Sequence, residues 1–158
     1  MPTQSSHLNP TVIAAAGLIA ALSLSPRAAH AQDARCPQDD PAVAGVSVTV
    51  DAAAASVEVD PTSVVVYLDA GSDQPKRVCW SITGLGDGMQ LRLEDKEDDS
   101  ADYFPGLQRT ATSRAPYLNS GNPARLGTWS YSVVVRDGSG AVIAELDPEV
   151  IVRGGGGR

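Results

Sequence analysis

Histidine is nearly missing from this chain. His7 and His30 are the only two, and both precede residue 32. Past that point no imidazole is left for a zinc site of the ordinary kind, and Cys36 and Cys79, the only cysteines, are too few to replace it. Aromatic side chains are also scarce: one Phe, two Trp and four Tyr. A core must therefore be built mainly from aliphatic residues, with a few rings carrying a large share of the burial. Basic residues are outnumbered, 12 Lys and Arg against 19 Asp and Glu, for a net charge of −7. That balance excludes nucleic acid as a partner, because Lys and Arg supply the affinity for phosphates. It equally disfavours an anionic membrane surface. Without histidine, a Ser or Cys nucleophile needs a Lys or carboxylate base, and neither Lys76 nor Lys96 stands beside a nucleophile motif. Carboxylate pairs can hydrolyse a glycosidic bond. With this many acids in a small chain some pair is bound to be close, so pairing carries no signal. The chain reads as a non-enzyme, with a small-substrate hydrolase as a remote alternative.

What is present begins with VIAAAGLIAALSL, residues 12–24, an unbroken run of apolar and small side chains. Pro26, Arg27 and the small-x-small pattern Ala29-His30-Ala31 follow it. The run is too short to cross a bilayer and has the length of a signal-peptide core. The expectation is a leader over residues 1–31, a new N-terminus at Gln32 and a periplasmic or extracellular destination. The opening MPTQSSHLNP departs from the usual pattern in offering no Lys or Arg. Setting Arg27 aside with the leader takes the 12 basic residues to 11 against 19 acids, a net charge of −8. No later apolar run is long enough for a transmembrane segment. In an oxidising compartment two cysteines are most simply one disulfide. Cys36–Cys79 would close a loop of about 42 residues, worth up to roughly 4 kcal/mol in the chain-entropy model.

The remainder alternates short β-branched runs with turn residues. GVSVTV (45–50), SVEV (56–59), SVVVYL (63–68), KRVCWSI (76–82), MQLRL (89–93), TWSYSVVVR (128–136), AVIAEL (141–146) and EVIVR (149–153) all read as strands. Asp60-Pro61, AGSDQP, GLGDG and Asp137-Gly138-Ser139-Gly140 punctuate them, the last as a tight hairpin. Nothing shows a helical period, beyond room for one helical turn in 95–125. The fold class expected is all-β: a single antiparallel Greek-key sandwich of about seven or eight strands. An N-terminal arm and first strand would occupy 32–54 and the sandwich core 55–153. Residues 154–158 make a flexible Gly-rich tail. Residues 94–126 stand out as a long irregular loop whose composition shifts from acidic to mildly basic. Loops of this length in compact domains are more often functional than filler.

Gly127-Thr128-Trp129-Ser130-Tyr131-Ser132, with a Trp-ending strand upstream at Val78-Cys79-Trp80, resembles the frame of blue-copper proteins. Cupredoxins often read Gly-Thr-Tyr-x-Tyr-x-Cys-x-x-His here, with a Met further on. The resemblance covers roughly residues 56–153 and implies a cupredoxin-like sandwich. It does not imply copper. The position of the copper cysteine holds Val133, that of the following histidine holds Arg136, and no His follows Trp80. Met89 alone cannot hold an ion that wants two imidazoles and a thiolate. The same closing hairpin, through Val135-Arg136-Asp137-Gly138-Ser139-Gly140, also resembles PKD-type and other immunoglobulin-like repeats, with Tyr131 fitting a tyrosine corner. Either frame puts Trp129, Tyr131, Val133 and Val135 on one face and Ser130, Ser132, Val134 and Arg136 on the other.

Two groups of side chains stand out as candidate sites. Glu94, Asp95, Glu97, Asp99 and Asp102 could gather oxygens for calcium, although an EF-hand alignment fails, with Ser100 and Gly106 where Gly and Glu belong. A solvated acidic loop is the simpler account. Tyr103, Phe104, Arg109, Arg114 and Tyr117 combine rings with guanidinium groups and could form a recognition surface. The competing account is a small cluster pinning the loop to the sandwich. Trp80 and Trp129, inside strands, are expected in the core. The reading as a whole is an exported, non-catalytic binding domain without a cofactor, recognising a protein or small ligand through its long loop. A calcium-stabilised structural module using 94–102 is the first alternative.

Overall fold

The computed structural model describes residues 36–37, 39–71, 73–96 and 103–155. Within them the chain forms ten strands and no helix: β1 (Val43–Asp51), β2 (Ser56–Asp60), β3 (Ser63–Tyr67), β4 (Arg77–Thr83), β5 (Gln90–Asp95), β6 (Thr110–Thr112), β7 (Tyr117–Asn119), β8 (Gly127–Arg136), β9 (Val142–Leu146) and β10 (Glu149–Arg153). They make a β-sandwich of two sheets, ordered β2-β1-β4-β7 and β3-β10-β8-β5-β6, with β9 also beside β8.

The eight strands expected from alternation are present. Two features differ. The long loop contains β6 and β7, three residues each, which join opposite sheets. The sheets are also mixed, not antiparallel throughout: β1 runs parallel to β4, and β3 parallel to β10. Both parallel pairs follow from the corner at Asp60-Pro61-Thr62, where the chain leaves the first sheet at β2 and enters the second at β3. A hairpin cannot supply a parallel neighbour, so pairing comes from strands distant in sequence.

The alternation behind each strand decides which face is buried. In β1, Val46, Val48 and Val50 point inward while Ser47, Thr49 and Asp51 are exposed. Trp80 and Ile82 lie beside Val46 and Val48 in register. Between them, Cys79 points outward from the sheet and is buried by its disulfide to Cys36, with Cα atoms 5.4 Å apart. Its register neighbour on β1 is Gly45, which has no side chain to compete for that space.

β8 organises the second sheet. Residues Tyr131 to Arg136 pair with β5 along one edge. Along the other edge Gly127 to Ser130 pair with β10, and Val133 to Arg136 with β9. Thus β9 and β10 act as one neighbouring strand interrupted at Asp147-Pro148. Trp129, Tyr131, Val133 and Val135 face the core as expected. On the opposite face Val134 and Ser132 are buried too. Arg92 and Glu145 flank Val134 in register, and long side chains of this kind can cover apolar neighbours with their stems.

The rings concentrate in one place. Trp129 stacks on Tyr131 with centroids 4.4 Å apart, and Trp80 meets both edge-on at 6.3 and 5.8 Å. Phe104 adds a fourth ring 5.3 Å from Trp129. The indole N–H of Trp80 donates to the Tyr131 hydroxyl at 2.9 Å, so the cluster's two central polar atoms satisfy each other.

Candidate binding surface

The resemblance to blue-copper proteins directs attention first to Val133 and Arg136. Val133 lies fully buried between Leu93 and Leu146 in register. Arg136 forms an ion pair with Glu94 at 3.2 Å and donates to the Gly140 carbonyl at 3.2 Å. The strand then closes in a hairpin built on one carboxylate. Asp137 Oδ1 accepts from the Ser139 amide, the Ser139 hydroxyl and the Ala141 amide at 2.8, 2.6 and 3.0 Å. These bonds, the Ser139 hydroxyl first, hold the Asp137 carboxyl below its ordinary value. Met89 is buried, its sulfur accepting from the Gly86 amide at 3.3 Å. The side chains standing where ligands would be are thus occupied in packing and pairing, and their donor set does not fit copper.

The acidic run is partly outside the described residues, as Glu97, Asp99 and Asp102 are. Glu94 is held by Arg136. Asp95 pairs with Arg109 at 2.6 Å and also accepts from the Trp129 indole N–H at 3.2 Å. Among the described residues no three His, Cys, Asp or Glu side chains are grouped to hold a metal ion.

The five residues proposed as one recognition surface are not found together on one surface. Tyr103 and Phe104 are buried, 7% and 2% exposed. The physical reason is the shortage of rings: β8 exposes the edge of Trp129 to whatever covers it, and Phe104 is the cover. Tyr103 accepts through its backbone carbonyl from the Ala124 amide at 2.8 Å and lies beneath the Arg125 guanidinium, 4.7 Å from the ring centroid. Gly127 completes this contact. Its φ is +131°, and a Cβ there would come within 2.5 Å of the Tyr103 hydroxyl. Arg109 is committed to Asp95.

Arg114 and Tyr117 remain accessible. Arg114 sits in the turn from β6 to β7 and Tyr117 begins β7; the turn is closed by reciprocal backbone bonds between Thr112 and Ala115 at 3.2 and 3.1 Å. Arg114 is exposed and has no carboxylate partner among the described residues. Tyr117 is half-buried, opposite Ser81 on the edge of the first sheet. Ser120, fully buried, locks the far end of β7: its amide donates to the Val78 carbonyl at 3.0 Å and its hydroxyl accepts from the Val78 amide at 2.8 Å.

Beside this turn is an open cleft of about 390 Å³, lined by Asp87, Gly88, Met89 and Gln90 on one wall and Thr112, Ser113 and Arg114 on the other. The Ser113 hydroxyl donates across it to Asp87 Oδ1 at 3.2 Å. A second groove of about 290 Å³ opens where β9 gives way to β10, lined by residues including Lys96, Ser130, Asp147 and Glu149. Here Asp147 pairs with Lys96 and accepts from the buried Ser132 hydroxyl at 2.7 Å. Lys96 first, and Ser132 second, hold the Asp147 carboxyl below its ordinary value. Asp87, Asp147 and Ser132 carry no functional signal in the sequence, since contacts between neighbouring strands far apart in the chain leave no local pattern. The only trace was Asp147-Pro148, a strand-breaking pair in an otherwise continuous run. No protein-family model matches this chain, and no curated protein matches it either.

Proposed function

We propose that this chain is an exported, non-catalytic binding domain that recognises a protein or small ligand through the end of the sandwich carrying the β6–β7 turn. The observation behind this is Arg114, an exposed guanidinium without a carboxylate partner among the described residues, held on a short bonded turn at the mouth of an open cleft. Recognition is commonly carried by loops on a rigid scaffold, and Arg is enriched at binding hot spots. A non-catalytic reading is supported by the absence of histidine after residue 31 and of a nucleophile motif beside Lys76 or Lys96. Export is supported by the apolar run at 12–24 together with the Cys36–Cys79 disulfide, a bond that persists in oxidising compartments. The finer fold reading is cupredoxin-like. A parallel pair in each sheet departs from the antiparallel sheets of a constant-type immunoglobulin domain.

The test is crosslinking capture from extracellular or periplasmic extract with the oxidised protein, beside an Arg114→Ala/Tyr117→Ala variant. Truncating Phe104 would confuse the result, since deleting a buried ring costs about 3–5 kcal/mol of stability. A partner captured by the first protein and lost by the second supports the reading and maps its face. Equal capture by both removes the β6–β7 turn from the reading, and no specific capture of any protein or small ligand removes the binding role.

A further inference from the structure

The cleft beside the β6–β7 turn combines three groups that the fold itself does not use together. Arg114 brings a positive charge without a carboxylate partner among the described residues. Asp87, exposed on the other wall, brings a negative one, and among the described residues only its Oδ1 is engaged, by the Ser113 hydroxyl at 3.2 Å. Met89, on the same wall as Asp87, brings a buried, polarizable thioether. A simple anion drawn to Arg114 would meet the Asp87 carboxylate, and a simple cation drawn to Asp87 would meet the guanidinium. A ligand carrying both charges satisfies both walls. Such a ligand has no net charge, so the field of a protein with net charge −7 does not repel it.

We propose that this cleft binds a free α-amino acid with an apolar side chain. The ligand carboxylate lies against the Arg114 guanidinium, where a bidentate pair is possible. Its ammonium lies at the free oxygen of Asp87, and its side chain is turned to Met89. The volume of about 390 Å³ is at the small end of the range for ligand sites, which suits a single amino acid better than a large cofactor. This proposal rests on the binding role given above and names the ligand class for the same end of the molecule.

The experiment is an NMR titration of the ¹⁵N-labelled oxidised protein with L-methionine, N-acetyl-L-methionine and L-methioninamide. L-methionine is expected to give saturable shifts confined to residues 87–90 and 112–114. Each blocked analogue, lacking one charge, should bind about tenfold more weakly. Arg114→Gln should weaken L-methionine about tenfold without changing the thermal midpoint, while Arg92→Gln, an exposed arginine outside the cleft, should leave it unchanged. Equal affinity for all three probes, or no saturable shift with L-methionine, overturns the proposal. Neither result touches the capture experiment, which reads the binding role separately.

Discussion

At the scale of single residues, a few rings bear a large part of the design. Tyr131 shows how tightly. Burial, opposed only by the Trp80 hydrogen bond, pushes its phenol well above the ordinary value of 10.0. The unfolded chain can ionise that phenol above pH 10 while the folded protein cannot. The raised folded value therefore contributes stability that is complete below pH 10 and declines as pH climbs from there towards the folded value. Replacing Tyr131 with Phe should cost about 1–3 kcal/mol at neutral pH, because the Trp80 indole N–H loses its acceptor in a dry site. The same substitution should flatten the alkaline decline relative to the parent protein. Urea denaturation of both proteins at pH 7 and above pH 10 measures the two effects. Parallel alkaline decline in parent and variant would show that Tyr131 is not its source.

At the scale of elements, the joint between β9 and β10 joins the second sheet by side chains where the backbone ladder is interrupted. Asp147 accepts from Ser132 on β8 and pairs with Lys96 just past β5, so one carboxylate links three segments. Its folded value is depressed, so its contribution is present above the ordinary value of 3.8 and is lost as pH falls through the folded value. Asp147→Asn should lower the thermal midpoint at pH 7, and the gap to the parent should close as pH drops well below 3.8. A gap independent of pH would assign the effect to shape instead of charge. Strand identity was legible because alternation over five or more residues reports which face is buried, as in Val46, Val48 and Val50. β6 and β7 were not legible, since three residues cannot establish a period, and Phe104 could not be placed because nothing local marks the ring it covers. Mixed pairing escaped for a related reason. Register between β1 and β4, or β3 and β10, is fixed by partners far apart in sequence. The disulfide, by contrast, needed only a count of two cysteines and the expectation of an oxidising compartment, and the burial of Tyr103 and Phe104 shows that aromatics close in sequence need not share a surface.

At the scale of the whole molecule, the disulfide joins the N-terminal arm to the centre of the first sheet. Cys36 and Cys79 are 43 residues apart, and the loop they close includes β1, β2 and β3. This matters because β1 sits between β2 and β4, so fraying of the arm would expose the inner valines of a central strand. The arm has other attachments: Arg77 pairs with Asp40 at 3.0 Å, and the Val43 amide donates to the Asp40 carbonyl at 2.9 Å. The ion pair is about one-third exposed on both sides, where such pairs contribute at most about 1 kcal/mol. The covalent link should therefore dominate. Replacing both cysteines with Ala should lower stability by about 2–4 kcal/mol in urea denaturation, with the loss arising mainly from the freer unfolded chain. An Asp40→Asn variant should lose well under half as much. If the two variants lose equal amounts, the arm is held by its polar contacts and the disulfide adds little to them.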